Sequence, residues 1–266
     1  MEKRGQATLL IILGLVLLIL IVLVVFLRSD ILSFAEEVGI IESQAAGEMQ
    51  DEVEIYVSLC LDQTAENALA FVSNYGGYYD LPSTADPTFL MPFYFYEGDS
   101  QIITKEELET EISKYLDNEL YFCLQNFIDL ENQGYGITTG VSETSVLITE
   151  DDIVFDVYFP ILIIKDSVEI SVTEFSFSMP SNLNTIYNVA EQLIQTQEED
   201  SSMMCLSCML DLAVQNDLRI EISYIDDRTY MITLIDDSTL IDGESFTYSF
   251  LTQYDIEEVV EEDEEK

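Results

Sequence analysis

The chain has 266 residues, of which 52 are Asp or Glu and nine are Lys or Arg, so its formal net charge at pH 7 is -43. Proteins that bind DNA or RNA present a basic surface to the phosphates, and this composition excludes that class. The chain has no His, which excludes a Ser-His-Asp triad, a Cys-His pair and zinc sites with His ligands. Hydrophobic residues make up 48% of the chain, so most of it can form a folded core.

The charge is divided between a short basic N-terminus and an acidic remainder. Residues 1–28 carry a net charge of +2, and residues 29–266 carry a net charge of -45. Residues 7–27 are almost wholly apolar, and as a helix they would be about 31 Å long, close to the thickness of a bilayer's hydrocarbon core. This run is longer than the apolar part of a cleaved secretory signal, and no small residues end it. It predicts a retained membrane helix, the only such span in the sequence.

The orientation of this helix is predicted from the basic residues that flank it. Lys3 and Arg4 precede the apolar run, whereas the next basic residue after Arg28 is Lys105. Because basic flanks stay on the cytoplasmic side, we expect the N-terminus in the cytoplasm and residues 29–266 outside the cell. The predicted location is therefore the cell membrane, with the bilayer as a partner of the anchor.

Residues 3–8, Lys-Arg-Gly-Gln-Ala-Thr, resemble the class III signal of archaeal pilin-like proteins. In such signals a peptidase cuts after the Gly that follows a basic pair. The resemblance implies a cut between Gly5 and Gln6, which leaves the apolar helix at the mature N-terminus. Leu10 stands where bacterial type IV pilins typically have Glu. The alternative is that the basic pair is the cytoplasmic flank of an ordinary signal anchor.

The chain as a whole resembles a family of uncharacterised membrane-anchored proteins from archaea of the DPANN group. The resemblance is carried by the N-terminal Lys-Arg-Gly-Gln, by Tyr-Val-Ser-Leu-Cys-Leu at residues 56–61, by Tyr-Gly-Gly-Tyr at 75–78 and by Cys-Leu-Ser-Cys at 205–208. It covers nearly the full length, but the family has no assigned activity. It therefore implies a location and an architecture and no reaction.

Four parts are predicted along the chain: an anchor at 1–28, a stalk or linker at 29–51, an extracytoplasmic domain at 52–254 and a disordered acidic tail at 255–266. Apolar residues of the second part recur at helical spacing, at Ile31, Phe34, Val38 and Ile41. This spacing favours an amphipathic stalk that continues the membrane helix. Gly39 and Gly47 favour a flexible linker instead.

Two helices are predicted in the first half of the domain. Apolar residues between 53 and 71 share one stripe, and the Gly pair at 76–77 ends this helix. Thr104 and Glu107 have the spacing of a capping box and open a second helix, which Gly134 ends. Both helices present an apolar face to a core.

The segment between these helices contains the most aromatic run in the chain, Phe-Tyr-Phe-Tyr at residues 93–96. One interpretation is a strand or loop that covers the core. The other is an exposed aromatic surface that contacts a partner or a ligand. We favour the first.

The remainder of the domain alternates between strands and helices. Periodicity predicts strands at 135–139, 145–149, 152–164, 167–178, 220–224, 230–234 and 246–250, with helices near 186–194 and 203–215. A change of phase at Thr173 and Glu174 indicates a bulge or bend. These elements predict an α+β fold of about four helices packed on antiparallel β-meanders.

The four cysteines, Cys60, Cys123, Cys205 and Cys208, lie on the apolar sides of predicted helices. An even count outside the cell predicts two disulfides, for which three pairings are possible. We favour the pairings that join Cys205 and Cys208 to the two earlier helices, because residues three apart in a helix face the same way. Bonds from Cys60 to Cys123 and from Cys205 to Cys208 are an alternative.

Other chemistry has weaker support. A redox site needs its Cys-x-x-Cys motif at a helix N-terminus after a strand, whereas here Glu198, Glu199 and Asp200 precede the motif and would raise the pKa of a thiol. Zinc lacks a second paired motif, and the acidic pairs at 226–227 and 236–237 lack the spacing of a Ca²⁺-binding loop. We therefore predict no catalytic residues, no metal site and no cofactor.

The acidity and the anchor together suggest a function. The acidic residues are spread along the chain, which favours a halophilic protein over a surface that gathers cations or binds a basic partner. We expect a structural or adhesive role, in one form a pilin-like subunit that associates with its own copies through the N-terminal helix or with other envelope proteins. The competing hypothesis is an anchored envelope enzyme or solute-binding module.

Overall fold

The computed structural model describes residues 15–22, 40–201 and 204–254. Residues 15–22 are helical and lie within the predicted membrane helix, but no helix in these ranges is both long and apolar enough to cross a bilayer. Several predicted features lie outside the described residues. They are the rest of the membrane helix, the cleavage position at Gly5 and Gln6, the stalk residues 29–39 and the acidic tail at 255–266.

Helix α1, Ile40–Asn74, is longer than its predicted counterpart and contains Gly47 without a break. It runs antiparallel to α2, Lys105–Leu124: the Tyr56 hydroxyl donates to the carbonyl of Leu124, and farther along α1 the ring of Phe71 contacts Tyr115. Antiparallel packing lets each helix bury its apolar stripe against the other and against the sheets. The later part of the predicted stalk is thus the first part of a core helix.

The predicted end of α1 is confirmed. Gly76 and Gly77 both have positive φ angles, and the N–H of Gly77 donates to the carbonyl of Val72 at 2.8 Å. A Cβ at Gly77 would lie 2.7 Å from the hydroxyl of Tyr248. Glycine is therefore needed here both for its backbone conformation and for space.

The capping box of α2 is also confirmed, since the side chain of Thr104 accepts from the N–H of Glu107, whose side chain accepts from the N–H of Thr104. The predicted end at Gly134 is wrong. The helix stops at Leu124, and a 3₁₀ turn at Gln125–Phe127 leads to the short helix α3, Ile128–Glu131. Three consecutive residues from 125 to 127 have positive φ angles, which an α-helix cannot accommodate.

Within the part of the chain that the structure describes, two sheets contain nine strands: β1 Phe93–Tyr96, β2 Asp99–Ser100, β3 Gly136–Thr139, β4 Glu143–Ile148, β5 Asp152–Lys165, β6 Val168–Pro180, β7 Arg219–Tyr224, β8 Thr229–Ile241 and β9 Glu244–Gln253. In the first sheet the order is β2-β1-β9-β8-β7. In the second, β3 and β4 pair with successive parts of one edge of β5, and β6 pairs with its other edge. The α+β fold is confirmed, but its strands are not all antiparallel, because β1 pairs with β9 in parallel.

The aromatic run at 93–96 is strand β1, and its interpretation as an exposed contact surface is wrong. Phe93, Tyr94 and Phe95 are 8%, 0% and 1% exposed. The strand lies beside β9, and the ring of Tyr94 stacks on Phe250 with centroids 4.4 Å apart. Its interpretation as a strand that covers the core is confirmed.

The predicted bend in β6 is a β-bulge between β5 and β6. The pairing shifts by one residue between Tyr158 and Ile161, so β5 carries the extra residue and the alternation of buried positions in β6 changes phase. Pro160, which cannot donate a ladder hydrogen bond, lies in the bulged part of β5. Gly140, which follows β3, donates to the carbonyl of Pro160 at 2.8 Å.

Two further helices pack near the first sheet. Helix α4, Leu183–Glu199, contacts β1, β2 and β8, and α5, Leu206–Gln215, contacts α4 and β7. In the described ranges, four helices of ten or more residues therefore accompany the sheets, as predicted.

Candidate functional site: a cavity beside the Cys205–Cys208 disulfide

The favoured disulfide pairing is wrong. Cys60 in α1 is bonded to Cys123 in α2, with their Cα atoms 5.6 Å apart, and Cys205 is bonded to Cys208. The prediction assumed that Cys205 lies within a helix, but it is the N-cap residue, with φ -80° and ψ 82°. Outside the helical conformation its side chain is free to turn toward Cys208. In addition, α5 packs chiefly on α4 and β7.

The Cys205–Cys208 disulfide forms the N-terminus of α5. The N–H of Cys208 donates to the Sγ of Cys205 at 3.3 Å, and the hydroxyl of Ser207 lies 3.6 Å from the same sulfur. Cys205 thus caps the helix in the manner of a Ser or Asp side chain, by accepting from the third residue of the first turn. The Cys-x-x-Cys motif therefore lies at a helix N-terminus, although the element that precedes it is the helix α4 and not a strand.

A cavity of about 440 Å³ lies beside this disulfide, between the C-terminal part of α4 and the start of α5. Its apolar wall is formed by Leu193, Met209 and Tyr254, each of which is buried. Both cysteines line it and are partly exposed. The disulfide is therefore accessible from a space large enough for a small ligand or a peptide side chain.

Buried Gln197 connects the cavity to the core. Its amide group donates to the carbonyl of Gln253 at 3.0 Å, and its side-chain oxygen accepts from the hydroxyl of Thr252. These bonds hold α4 against the end of β9, where Tyr254 lines the cavity. Burial raises the pKa of Tyr254 to about 12, so its hydroxyl stays protonated near neutral pH.

The electrostatic character of the cavity is acidic. Glu199 and Asp200, at the end of α4, line it and are exposed. Among the described residues, no Lys or Arg side chain belongs to its lining. The rim thus combines the positive end of the α5 dipole with carboxylates, and it favours a ligand that carries positive charge.

Beside the cavity, α5 presents an apolar surface to solvent. Leu206, Leu210 and Val214 follow each other at intervals of four residues and are 61%, 64% and 74% exposed. A second hollow, of about 310 Å³, lies between this helix and β7, where Ile220 and Ile222 line it. Because β7 is at the edge of its sheet, this region offers both apolar side chains and unpaired strand groups.

In each of the acidic pairs at 226–227 and 236–237, the first Asp accepts hydrogen bonds from backbone N–H groups. Asp226 accepts from the N–H groups of Arg228 and Thr229, and the hydrogen bond from Arg228 holds the pKa of Asp226 below its usual value. Asp236 is buried in an irregular part of β8 and accepts from Ser238. Across the described ranges, no three acidic or cysteine side chains converge in a way that could hold a metal ion.

Comparison with known proteins adds no relative: no family model, no curated protein and no solved structure matches the chain. Of the predicted site residues, the four cysteines lie in the described part, and Gly5 and Gln6 do not. Sequence reasoning missed Gln197 and Tyr254, because Gln197 lies in α4 and Tyr254 follows β9, whereas the cysteines lie at the start of α5. The one local signal of the site was the Cys-x-x-Cys motif directly before an apolar helical pattern.

Proposed function

We propose that this chain is a single-pass membrane protein whose α+β domain is displayed outside the cell in a structural or adhesive role, in its most specific form as a pilin-like subunit. The observation that carries the proposal is the Cys60–Cys123 disulfide, which joins two core helices. Such bonds persist in oxidising compartments and are rare in the cytosol. The basic flank at residues 3–4 supports the same orientation.

The position of α1 supports display on a helical stalk. The helix begins at Ile40, a short distance along the chain from the end of the apolar run at Leu27. Most residues from 44 to 52 are exposed or partly exposed, whereas Val57, Leu61 and Ala65 are fully buried. The N-terminal part of the helix, which is nearer in the chain to the proposed anchor, is thus the more exposed part, and the later part belongs to the core.

An apolar surface near this entry supports a role in association. Ile55 and Leu59 of α1 and Tyr121 and Phe122 of α2 are all more than half exposed. Leu59 and Phe122 directly adjoin the two bonded cysteines of these helices. A surface of this kind favours contact with a second copy or with another envelope protein.

Processing is tested by intact mass of the protein isolated from its native membrane. The pilin-like form predicts the loss of residues 1–5, whereas substitution of Gly5 by Leu should leave them in place and abolish assembly. Ala7→Leu, two residues farther on, serves as the matched control and should be processed. A wild-type protein that retains Met1 would contradict the pilin-like form.

Display outside the cell is tested separately. Protease added to intact cells should degrade the domain, and alkylation without reductant should leave all four cysteines unmodified. Four alkylated thiols, together with protection from protease, would contradict the proposed orientation.

A second candidate is an anchored envelope enzyme or solute-binding module, which is favoured by the cavity between α4 and α5. Native mass spectrometry of the purified protein tests it. A small molecule that is retained reproducibly, and that is lost when Leu193→Trp fills the cavity, would support this candidate. Identical spectra for the two proteins, both free of added mass, would oppose it.

A further inference from the structure

The two disulfides do different things for the fold. Cys60 and Cys123 are separated by 63 positions and connect two helices, whereas Cys205 and Cys208 are separated by three and connect one helical turn to its own cap. A cross-link restricts the unfolded chain less when the loop it closes is shorter. The shorter disulfide therefore contributes less to the stability of the fold than the longer one, although it lies at the edge of a cavity.

The surroundings of the shorter disulfide suit thiol chemistry. The N–H of Cys208 points at the Sγ of Cys205, and the first turn of α5 directs its positive end toward the same atom. Both features stabilise negative charge on this sulfur, which Cys205 carries once the mixed disulfide is resolved, and they oppose the effect of the carboxylates that line the cavity. The pair is partly exposed, next to the exposed residues Leu206 and Ser207.

We propose that Cys205–Cys208 is an exchange-active disulfide that accepts electrons from the cysteine thiols of a polypeptide. The partner's chemistry is indicated by what surrounds the pair. Leu206 and Leu210 offer an apolar surface, and Glu199 lines the cavity with a carboxylate. The favoured partner is therefore a cysteine-containing segment that carries apolar and basic residues.

The exchange transfers two electrons in two steps. A partner thiolate attacks the Sγ of Cys205, a mixed disulfide forms, and Cys208 leaves as a thiolate. A second thiolate of the partner then attacks the sulfur that the first contributed, and Cys205 leaves as a thiolate next to the Cys208 N–H. The partner ends with a disulfide, the protein ends with two thiols, and the two protons lost by the partner are taken up by the protein thiolates or by water.

The inference does not depend on filament assembly, because it uses only residues of the cavity and of α5. It is tested first by a time course of reduction of the full chain in detergent with reduced dithiothreitol, stopped by alkylation and followed by peptide mapping. Cys205–Cys208 should open at least tenfold faster than Cys60–Cys123. Equal rates, or slower opening of the shorter bridge, would overturn the proposal.

Selectivity is tested with two synthetic dithiol peptides of equal length. One carries Leu and Lys around its Cys pair, and the other carries Ser and Asp. The oxidised protein should oxidise the first at least tenfold faster, and Leu210→Ser should reduce that preference. Glu199→Gln should weaken the salt dependence of the oxidation of the Leu/Lys peptide more than Glu198→Gln does, because Glu198 does not line the cavity.

The two peptides could be oxidised at equal rates that Leu210→Ser does not change. That outcome would show that the disulfide reacts only because it is accessible, and it would overturn the assignment of this partner. The Cys205→Ser/Cys208→Ser variant must lose peptide oxidation while it keeps the Cys60–Cys123 bond and the circular dichroism of the parent. Peptide oxidation that persists in this variant would also overturn the proposal.

Discussion

The hydroxyl groups of Tyr94 and Tyr248 are hydrogen-bonded to each other in the core, where both side chains are fully buried. Tyr94 also donates to the carbonyl of Gly76 at 3.1 Å, so Tyr248 is the donor between the two hydroxyls. The chain of bonds joins the end of α1 to β1 and β9. It connects residues 154 positions apart, at the C-terminal end of α1, opposite the end that is proposed to lead toward the membrane.

Removal of the Tyr94 hydroxyl should destabilise the protein more than removal of the Tyr248 hydroxyl. Tyr248→Phe leaves Tyr94 paired with Gly76, and we expect a loss of about 1 kcal/mol in the free energy of unfolding. Tyr94→Phe leaves both the Gly76 carbonyl and the Tyr248 hydroxyl without this partner, and we expect about 2 kcal/mol or more. Denaturant unfolding of the two variants measures the difference, and equal losses would contradict the assigned direction of donation.

High pH should unfold the protein through the same pair. Burial raises the pKa of both tyrosines above the usual value of 10, most strongly through loss of solvation of the phenolate. The folded state therefore holds these protons more tightly than the unfolded state does. Their contribution is fully present below pH 10 and is lost as the pH rises above it. Unfolding free energies measured between pH 8 and about 12 should fall more steeply for wild type than for Tyr94→Phe/Tyr248→Phe.

Alanine at Gly77 should be far more damaging than alanine at Gly243. Both glycines have φ near +80°, at 85° and 81°, but only at Gly77 would a Cβ meet other atoms. Gly243→Ala should cost about 1 kcal/mol for its backbone conformation alone. Gly77→Ala must also displace Tyr248, and we expect at least about 3 kcal/mol. Thermal unfolding of the two variants provides the comparison, and similar midpoints would show that the core near Tyr248 yields easily.

The two disulfides should differ in their contributions to stability. Loop-closure entropy assigns about 4 kcal/mol to a bond that spans 63 positions and about 2 kcal/mol to one that spans three. Double Ser variants at Cys60/Cys123 and at Cys205/Cys208 should therefore lose stability in that order, as measured by denaturant unfolding. A larger loss at Cys205/Cys208 would identify that bridge as structural and would weaken its proposed role in exchange.

Salt should stabilise the fold. At a net charge of -43, carboxylates repel one another in the compact state, and this repulsion is screened within about 3 Å at 1 M salt. The midpoint of thermal unfolding should rise markedly between 0.1 M and 3 M KCl if the acidity is an adaptation to a saline environment. Sucrose at matched osmolality is the control for excluded-solute effects. A rise no larger in KCl than in sucrose would argue against screening.

The secondary structure was largely predictable because its signals are local. Thr104 and Glu107 mark the start of α2 within one turn of chain, and alternation located β5 and β6 to within two residues at each end. The candidate site was only partly predictable. Its cysteines were evident, but their pairing depended on whether Cys205 lies inside α5 or caps it. The helix begins at Leu206 and not near residue 203, and this difference of three residues at its boundary reversed the disulfide prediction.

By itself, the amino-acid sequence determined the α+β fold class, the order of the longer helices and strands and the absence of His chemistry, since these follow from composition and from periodicity among neighbouring residues. Only the tertiary structure decided which distant segments meet. It paired β1 with β9 in parallel, buried the aromatic run at 93–96 and bonded Cys60 to Cys123. It also brought Gln197 and Tyr254 to the cavity beside Cys205. These contacts join residues far apart in the chain, and their stability depends on packing that no local pattern records.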